Sequence, residues 1–465
     1  MEELTTKICV LGGGPAGYTA AIRAAQLGAS VVLVEKDAMG GTCLNRGCIP
    51  TKALLKSAEV YSLLGQSGEY GVPAKASTRS PDPELLLARK NTIVQQLRAG
   101  VELLMKKNAI TVCRGIGTVL PGPAVEVKSD GGKTLIHCEK LILAAGSTPL
   151  LPPIPGLEQD GVMTSDEAIA TAAVPKSIAI IGSGVIGLEF ATFYRDMGCE
   201  VTIVELLDRI LPGEDEAASA ALLRAMKKRR IRFLLGARVL RIDRQNGEFS
   251  VSYEQNGSAG AVSAERVLAA AGRKLDGLSP DVVELGVQAD GHAIRVDARM
   301  RTSVENVYAV GDAVGGRLLA HLSSAQGRVA AENAMGLNTA LDARAVPACI
   351  YTVPEFASVG LNAGAARFLG LDVISGTFDF RANGRSLTLN NRDGLVKIVA
   401  DRTSHVILGG CILGPEASEL ISELTLAIRM QTSLEILANL IHPHPSLSEA
   451  ISEACLDALG IAVHK

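Results

Sequence analysis

The chain has 465 residues, of which 47% are apolar and 20% charged, and its formal net charge is −3. That length predicts about three domains of about 150 residues each, and the near-neutral balance argues against nucleic acid or an anionic membrane as partner. Nine widely scattered cysteines do not make a secreted disulfide framework, and in a reducing compartment a disulfide is usually catalytic.

The first residues, Met1-Glu2-Glu3, lack the basic start and apolar core of a secretory signal. No apolar stretch reaches the length of a membrane span without charge or glycine. The expectation is a cytoplasmic protein. The local basic run Lys227-Lys228-Arg229-Arg230 reads as a solvated helix end.

Residues 7–36 read as strand, tight turn, helix, strand and acid. Gly12 permits the turn, Gly14 lets a pyrophosphate approach the backbone, and Gly17 lets helix and strand pack closely. The helix, expected from Tyr18 to Leu27 with Gly28 as its stop, offers free N–H groups and a positive dipole end to phosphates. Val31 to Val34 lead to Glu35, placed to accept hydrogen bonds from ribose hydroxyls.

Next comes Cys43, with four residues before Cys48, followed by Pro50 and Lys52. In a regular helix residues five apart have Cα atoms about 8.7 Å apart, and a disulfide needs no more than about 7 Å. A bridge therefore requires a distorted turn, which Gly47 and Pro50 favour. Two buried cysteines or half of a zinc site are the bland alternatives, and no second cysteine pair at metal-ligand spacing completes the latter. No metal is expected.

The fingerprint recurs at 177–205. Ser177 to Ile181 form a strand and Gly182-Ser183-Gly184-Val185-Ile186-Gly187 the turn. A helix is expected from about Leu188 to Met197, and Val201 to Val204 lead to Glu205. Gly12 and Gly182 are 170 residues apart, as are Glu35 and Glu205. A lone GxGxxG is weak, but two copies with strands, helix and acid in place are specific. Glu205 favours a free 2′-hydroxyl over a 2′-phosphate, hence NAD, although Arg209 lies four residues on.

Strand-like runs end near Gly146, Gly272 and Asp312. Proline-rich residues 149–156, a change near 276–280 and another near Pro347 divide the chain into 1–150, 151–275, 276–345 and 346–465. The last segment reads as α+β, with strands near 396–399 and 406–408 and helices over 416–430 and 433–440. Near its end, His444 suits proton transfer near neutral pH. Glu449, five residues later, is close enough for a turn to bring its carboxylate to the imidazole, though such proximity is common by chance. The fold class is α/β: two Rossmann-like dinucleotide-binding domains and an α+β C-terminal domain.

Nearly the whole chain resembles the dihydrolipoamide dehydrogenases, within the pyridine nucleotide–disulfide oxidoreductases. The resemblance rests on GGTCLNRGCIPTK at 40–52, both fingerprints, AAGSTP at 144–149, AAGR at 270–273 and YAVGDA at 308–313. It rests also on LAH at 319–321, YTVPEFASVGL at 351–361 and HPHPSLSE at 442–449. It implies an FAD domain, an inserted NAD domain, a central segment and an interface domain that forms a homodimer. FAD is then expected on Gly12, Gly14, Ala16, Gly17, Glu35, Lys36, Gly41, Thr42, Lys52, Gly117, Gly146, Asp312 and Ala320. NAD is expected on Gly182, Gly184, Val185, Ile186, Gly187, Glu189, Glu205, Val239 and Gly272.

The implied reaction is oxidation of protein-bound dihydrolipoamide through Cys43 and Cys48, with His444 as base and Glu449 orienting it. No lipoyl domain precedes the first strand, so the carrier is expected to be a separate protein of a 2-oxoacid dehydrogenase, glycine cleavage or acetoin system. The sequence departs from the family pattern at few places. No proline follows Arg273 closely, Gln326 stands where an acid is commoner, Leu322 replaces a lysine, and Thr51 and Ser446 are near-isosteric variants. Rivals are an NADPH-dependent disulfide reductase of the glutathione reductase type, a mercuric reductase-like enzyme lacking here the second C-terminal cysteine, and a non-catalytic docking component.

Overall fold

A computed structural model describes residues 2–72, 81–122, 124–245 and 247–465. The first sheet has seven strands. Thr111–Arg114, Val31–Glu35, Glu2–Leu11 and Gly132–Leu143 run side by side and parallel, and Ala124–Ser129 and Ile116–Leu120 extend the sheet antiparallel. Val307–Ala309 pairs parallel with the end of Gly132–Leu143, so a segment from far along the chain completes this sheet. Its central strands are apolar on both faces, as a parallel sheet covered by helices requires.

The second sheet orders Arg232–Leu234, Glu200–Val204, Ser177–Ile181, Arg266–Ala269 and Val162–Met163, all parallel. A three-stranded antiparallel sheet, Ala237–Gln245, Glu248–Gln255 and Ser258–Ala264, sits between its last strands in sequence. The two chain crossings between these units, Ser147–Pro149 and Arg273–Leu275, pair with each other antiparallel.

Each fingerprint helix starts earlier than expected: Pro15–Gln26 rather than from Tyr18, and Val185–Asp196 rather than from Leu188. The third glycine of each motif already lies in the first turn, and Pro15 stands where proline's fixed φ suits a helix start. The first strand likewise begins at Glu2, ahead of Lys7.

The C-terminal sheet is antiparallel, in the order Ala348–Ile350, Glu355–Gly360, Ile407–Gly414, Leu395–Asp401 and Val373–Asp379. Helices Ala417–Arg429 and Glu449–Ala458 pack on it around a core containing Phe378, Phe380, Ile398 and Leu424. The expected helix over 433–440 is shorter, Leu434–Ala438, and the chain from 439 to 448 then runs without a helix to Glu449. Among the described residues no helix is long and apolar enough to cross a membrane.

Candidate active site

The two glycine-rich turns have the same geometry. Gly14 caps the first helix at φ −73° and ψ −175°, and Gly184 caps the second at φ −73° and ψ −176°. Neither helix has a side-chain cap or an acid in its first turn. Their first N–H groups are therefore left for an anion. A Cβ on Gly17 would lie 1.8 Å from the Gly12 carbonyl oxygen, and one on Gly187 would lie 2.1 Å from that of Gly182. Only glycine lets each helix rest against its own turn.

The two acids match as well. Glu35 accepts the Gly13 N–H at 2.6 Å and the Asp37 N–H at 2.7 Å. Glu205 accepts the Ser183 N–H at 2.6 Å and the Leu207 N–H at 2.8 Å, with the Ser183 hydroxyl donating to it as well. A carboxylate offers about four acceptor positions, so each retains capacity toward a ribose. Burial pushes the Glu35 carboxyl above the usual range, opposed by the Gly13 N–H and by Lys36, Arg46 and Arg114.

Both cradles open on one cavity of about 1760 Å³, beyond the 300–1,000 Å³ of a drug-sized pocket and so suited to extended dinucleotides. Its wall includes Gly12, Gly14, Ala16, Glu35, Lys36, Gly41, Thr42, Cys43, Cys48, Lys52, Gly117, Gly146, Asp312 and Ala320. From the second unit it includes Gly182, Gly184, Val185, Ile186, Glu189, Glu205, Val239 and Gly272. Gly17 and Gly187 lie outside the wall, consistent with a packing role. The residues after Glu205 at the cavity wall are Leu206 and Leu207. Arg209 instead donates to the Pro212 carbonyl. Neither residue immediately after Glu205 is a cation, although Arg238 lines the same wall.

Cys43 and Cys48 form a disulfide with Cα atoms 4.7 Å apart. Helix Gly41–Arg46 stops at Gly47, whose φ of −137° and ψ of −114° are non-helical, and Cys48–Gln66 starts anew. The break supplies the distorted turn that the spacing demands. Three of the other thiols differ in character: burial pushes Cys199 and Cys455 up to about 12 and Cys349 up to about 11. Among the described residues no group of three or more His, Cys, Asp or Glu side chains gathers to hold a metal ion.

One turn after Cys48, Lys52 donates to both oxygens of Glu189 at 2.9 and 2.8 Å. Its Nζ also lies 4.6 Å from the centre of the Tyr351 ring, and Glu189 accepts the Tyr351 N–H at 3.1 Å. Three parts of the chain thus meet beside the disulfide. Asp312 is fixed by the Ser147 hydroxyl, which in turn accepts Arg273 Nε at 2.7 Å. Gln326 accepts the Gly311 N–H at 2.8 Å through its amide oxygen, a task for which a neutral side chain suffices. Sequence reading missed Tyr351, Ser147 and Arg273 as site residues, although each lies within a quoted motif.

His444 and Glu449 are together but elsewhere. His444 Nδ1 lies 2.9 Å from Glu449 Oε1, and Glu449 Oε2 accepts the Ser446 N–H at 2.8 Å. Burial alone would raise the Glu449 carboxyl. The Ser446 N–H, His444 and the charge of His442 outweigh it and hold the group below the usual range. An ionised carboxylate only accepts, so Nδ1 carries the hydrogen of this contact, and in the neutral ring that leaves the Nε2 lone pair free. The His444 side chain is 80% exposed, and neither residue lines the cavity that Cys43 lines.

Residues 6–327 match the family described as pyridine nucleotide-disulphide oxidoreductase, and residues 346–455 match its dimerisation domain. The chain is 41% identical to a dihydrolipoyl dehydrogenase of Bacillus subtilis, with 98% of each chain covered. It is 42% identical to one of Halobacterium salinarum, over 99% of this chain and 97% of that one. Among solved structures, LpdA of Mycobacterium tuberculosis superposes with a TM-score of 0.89 at 27% identity, covering 97% and 99% of the two chains. The HOCl-induced flavoprotein disulfide reductase RclA of Escherichia coli, as its Cu(II) complex, gives 0.86 at 27% identity with the same coverage. The duplicated cradle, the disulfide on its wall and these matches lead to one conclusion: the chain belongs to the pyridine nucleotide-disulphide oxidoreductase family.

Proposed function

We propose that the protein oxidises dihydrolipoamide, carried on a separate lipoyl protein, with NAD as acceptor. The observation that carries this reading is a disulfide opening on a single cavity with two matched nucleotide cradles. Gly12 to Gly17 and Glu35 would hold FAD, and Gly182 to Gly187 and Glu205 would hold NAD; FAD, when bound, would supply a two-electron acceptor between the Cys43–Cys48 dithiol and NAD.

The residues perform the thiol chemistry. His444 Nε2 takes a proton from one substrate thiol, and Glu449 holds the ring and offsets the cation that forms. The substrate thiolate attacks the Cys43 sulfur. A substrate–Cys43 disulfide forms, the Cys43–Cys48 bond breaks, and Cys48 leaves as a thiolate. The second substrate thiol then attacks the substrate sulfur of the mixed disulfide and gives its proton to the departing Cys43 sulfur, closing lipoamide and leaving Cys43 as a thiol. Two electrons and two protons have left the substrate. Lys52, paired with Glu189 and capped by Tyr351, keeps a cation one turn from the Cys48 thiolate.

An exposed His444 and a disulfide on a separate cavity support a homodimer in which the base serves the disulfide of the other copy. The family's dimerisation domain at 346–455 supports the same arrangement. The proposed domain limits are 1–150 for FAD, 151–275 for NAD, 276–345 completing the FAD domain and 346–465 for the interface. The pairing of Val307–Ala309 with Gly132–Leu143 supports the third segment. A cytoplasmic location is part of the same proposal.

Anaerobic titration of the yellow protein with dihydrolipoamide tests it. The expected result is reduction with a long-wavelength band that disappears in Cys48→Ser. Reduction by NADH but not by dihydrolipoamide would sink the substrate while leaving the flavoprotein.

A further inference from the structure

We propose that His442 is a positioning residue for the base, pinned by Glu423 so that the backbone carrying His444 is held on both sides; this rests on the reading of His444 given above. His442 Nε2 lies 2.9 Å from Glu423 Oε1 on helix Ala417–Arg429. Its side chain is 7% exposed, against 80% for His444 two residues later. Two histidines so close in sequence have opposite environments.

The segment between helices Leu434–Ala438 and Glu449–Ala458 has no ladder of its own. An exposed imidazole on such a segment is only as well aimed as its backbone. On the far side of His444 the anchors are at Ser446. Its carbonyl accepts Asn383 Nδ2 at 2.9 Å, and its N–H donates to Glu449. On the near side the anchor is His442. The base sits midway between them, with His442 two residues before it and Ser446 two after.

A satisfied core histidine would merely fill space. This one ties a loop to a helix of the C-terminal domain, and its charge is among those acting on Glu449. Around the pair, Glu423 acts on Cys455 of Glu449–Ala458, and His442 acts together with His444 on Glu449. Misplacing a reacting group by an ångström costs up to about 100-fold in rate. That is the kind of loss expected when one of the two anchors goes.

The test uses the FAD-loaded enzyme and two variants, His442→Leu and His442→Gln. The glutamine amide can still donate to Glu423. Turnover of dihydrolipoamide with NAD depends on the base, whereas NADH-to-ferricyanide turnover bypasses it. His442→Leu is expected to lose about 10- to 100-fold in kcat with dihydrolipoamide, with KM for NAD and ferricyanide turnover unchanged. His442→Gln is expected to recover most of that loss. Wild-type kcat in His442→Leu overturns the proposal. So does a fall in ferricyanide turnover parallel to that with dihydrolipoamide, since that marks general structural damage. If the unaltered enzyme fails to turn over dihydrolipoamide, the function falls and this role falls with it.

Discussion

Lys52 Nζ lies within 2.9 Å of both carboxylate oxygens of Glu189, joining the helix that carries Cys48 to the helix that opens the second cradle. The Glu189 side chain is 5% exposed and that of Lys52 31%. A nearly buried carboxylate this close to the disulfide is tolerable only with its counter-ion in place.

Lys52→Met is therefore expected to destabilise the holoenzyme by about 2 kcal/mol, less than the 3–5 kcal/mol of a fully buried pair because the lysine keeps some solvent. Glu189→Gln is expected to cost less, since Tyr351 N–H and Lys52 retain an acceptor. The double variant should melt above Lys52→Met alone. Strictly additive losses in melting temperature would mean that the two groups are not coupled.

Glu449 gives a prediction in pH. Its carboxyl is held below the usual range in the folded chain, so folding favours the ionised form. The stability it contributes is fully present above its unfolded value, about 4.3, and is lost as pH falls through the lower folded value. The stability gap between wild type and Glu449→Gln should be constant near neutrality and close in acid below about pH 4. The same variant is expected to slow dihydrolipoamide oxidation about 100-fold, the low end of what a general base contributes. A pH-independent stability gap would show that Glu449 is not ionised through the His444 contact.

The parts legible in the sequence are those whose partners are near in chain. Each glycine turn meets its acid across one strand–helix–strand unit, so spacing alone located Gly12 with Glu35 and Gly182 with Glu205. Cys43 with Cys48 and His444 with Glu449 lie five residues apart. Lys52 and Glu189 are separated by 137 positions, and Arg273 and Ser147 by 126. No local pattern could pair them, because the members of each pair come from distant parts of the chain. Helix Pro83–Lys107 was readable and overlooked: Asp82 accepts the Glu84 and Leu85 N–H groups, and Pro83 follows at the first helical position. The sheet over 237–264, with strands of nine, eight and seven residues, carries no nucleotide motif to draw attention to it.

Asp215 holds two units together. Its Oδ1 caps helix Glu216–Lys228 through the Ala217 and Ala218 N–H groups, and its Oδ2 accepts Lys397 Nζ at 2.6 Å from the C-terminal sheet. The side chains are 7% and 16% exposed. Asp215→Asn keeps the cap and loses the charge, whereas Asp215→Ala loses both. The alanine variant is expected to be less stable than the asparagine one by about 1 kcal/mol, the worth of an N-cap. Equal melting temperatures would assign the whole effect to the ion pair.

On the proposed reading, Glu205 and Leu206 select NAD over NADP. A hydrogen bond to a charged group is worth about 1.5–3 kcal/mol. Glu205→Ala is therefore expected to weaken NAD by about 10- to 100-fold. The wild type is expected to use NADP poorly, and adding Leu206→Arg should admit it. Equal use of both nucleotides by the wild type would remove Glu205 from the selection.

The two cradles can be told apart by one methyl group each. A Cβ at residue 17 would strike the Gly12 carbonyl, and one at residue 187 would strike that of Gly182. Each contact forces its helix away from its turn. Gly17→Ala is expected to give protein without yellow colour, because the cradle beside Glu35 opens. Gly187→Ala is expected to stay yellow and to be reduced by dihydrolipoamide, since neither the disulfide nor the first cradle is touched. Reduction by NADH should then need at least about tenfold more nucleotide, within the 1–3 kcal/mol that overpacking costs. A colourless Gly187→Ala beside a yellow Gly17→Ala would reverse which cradle holds flavin.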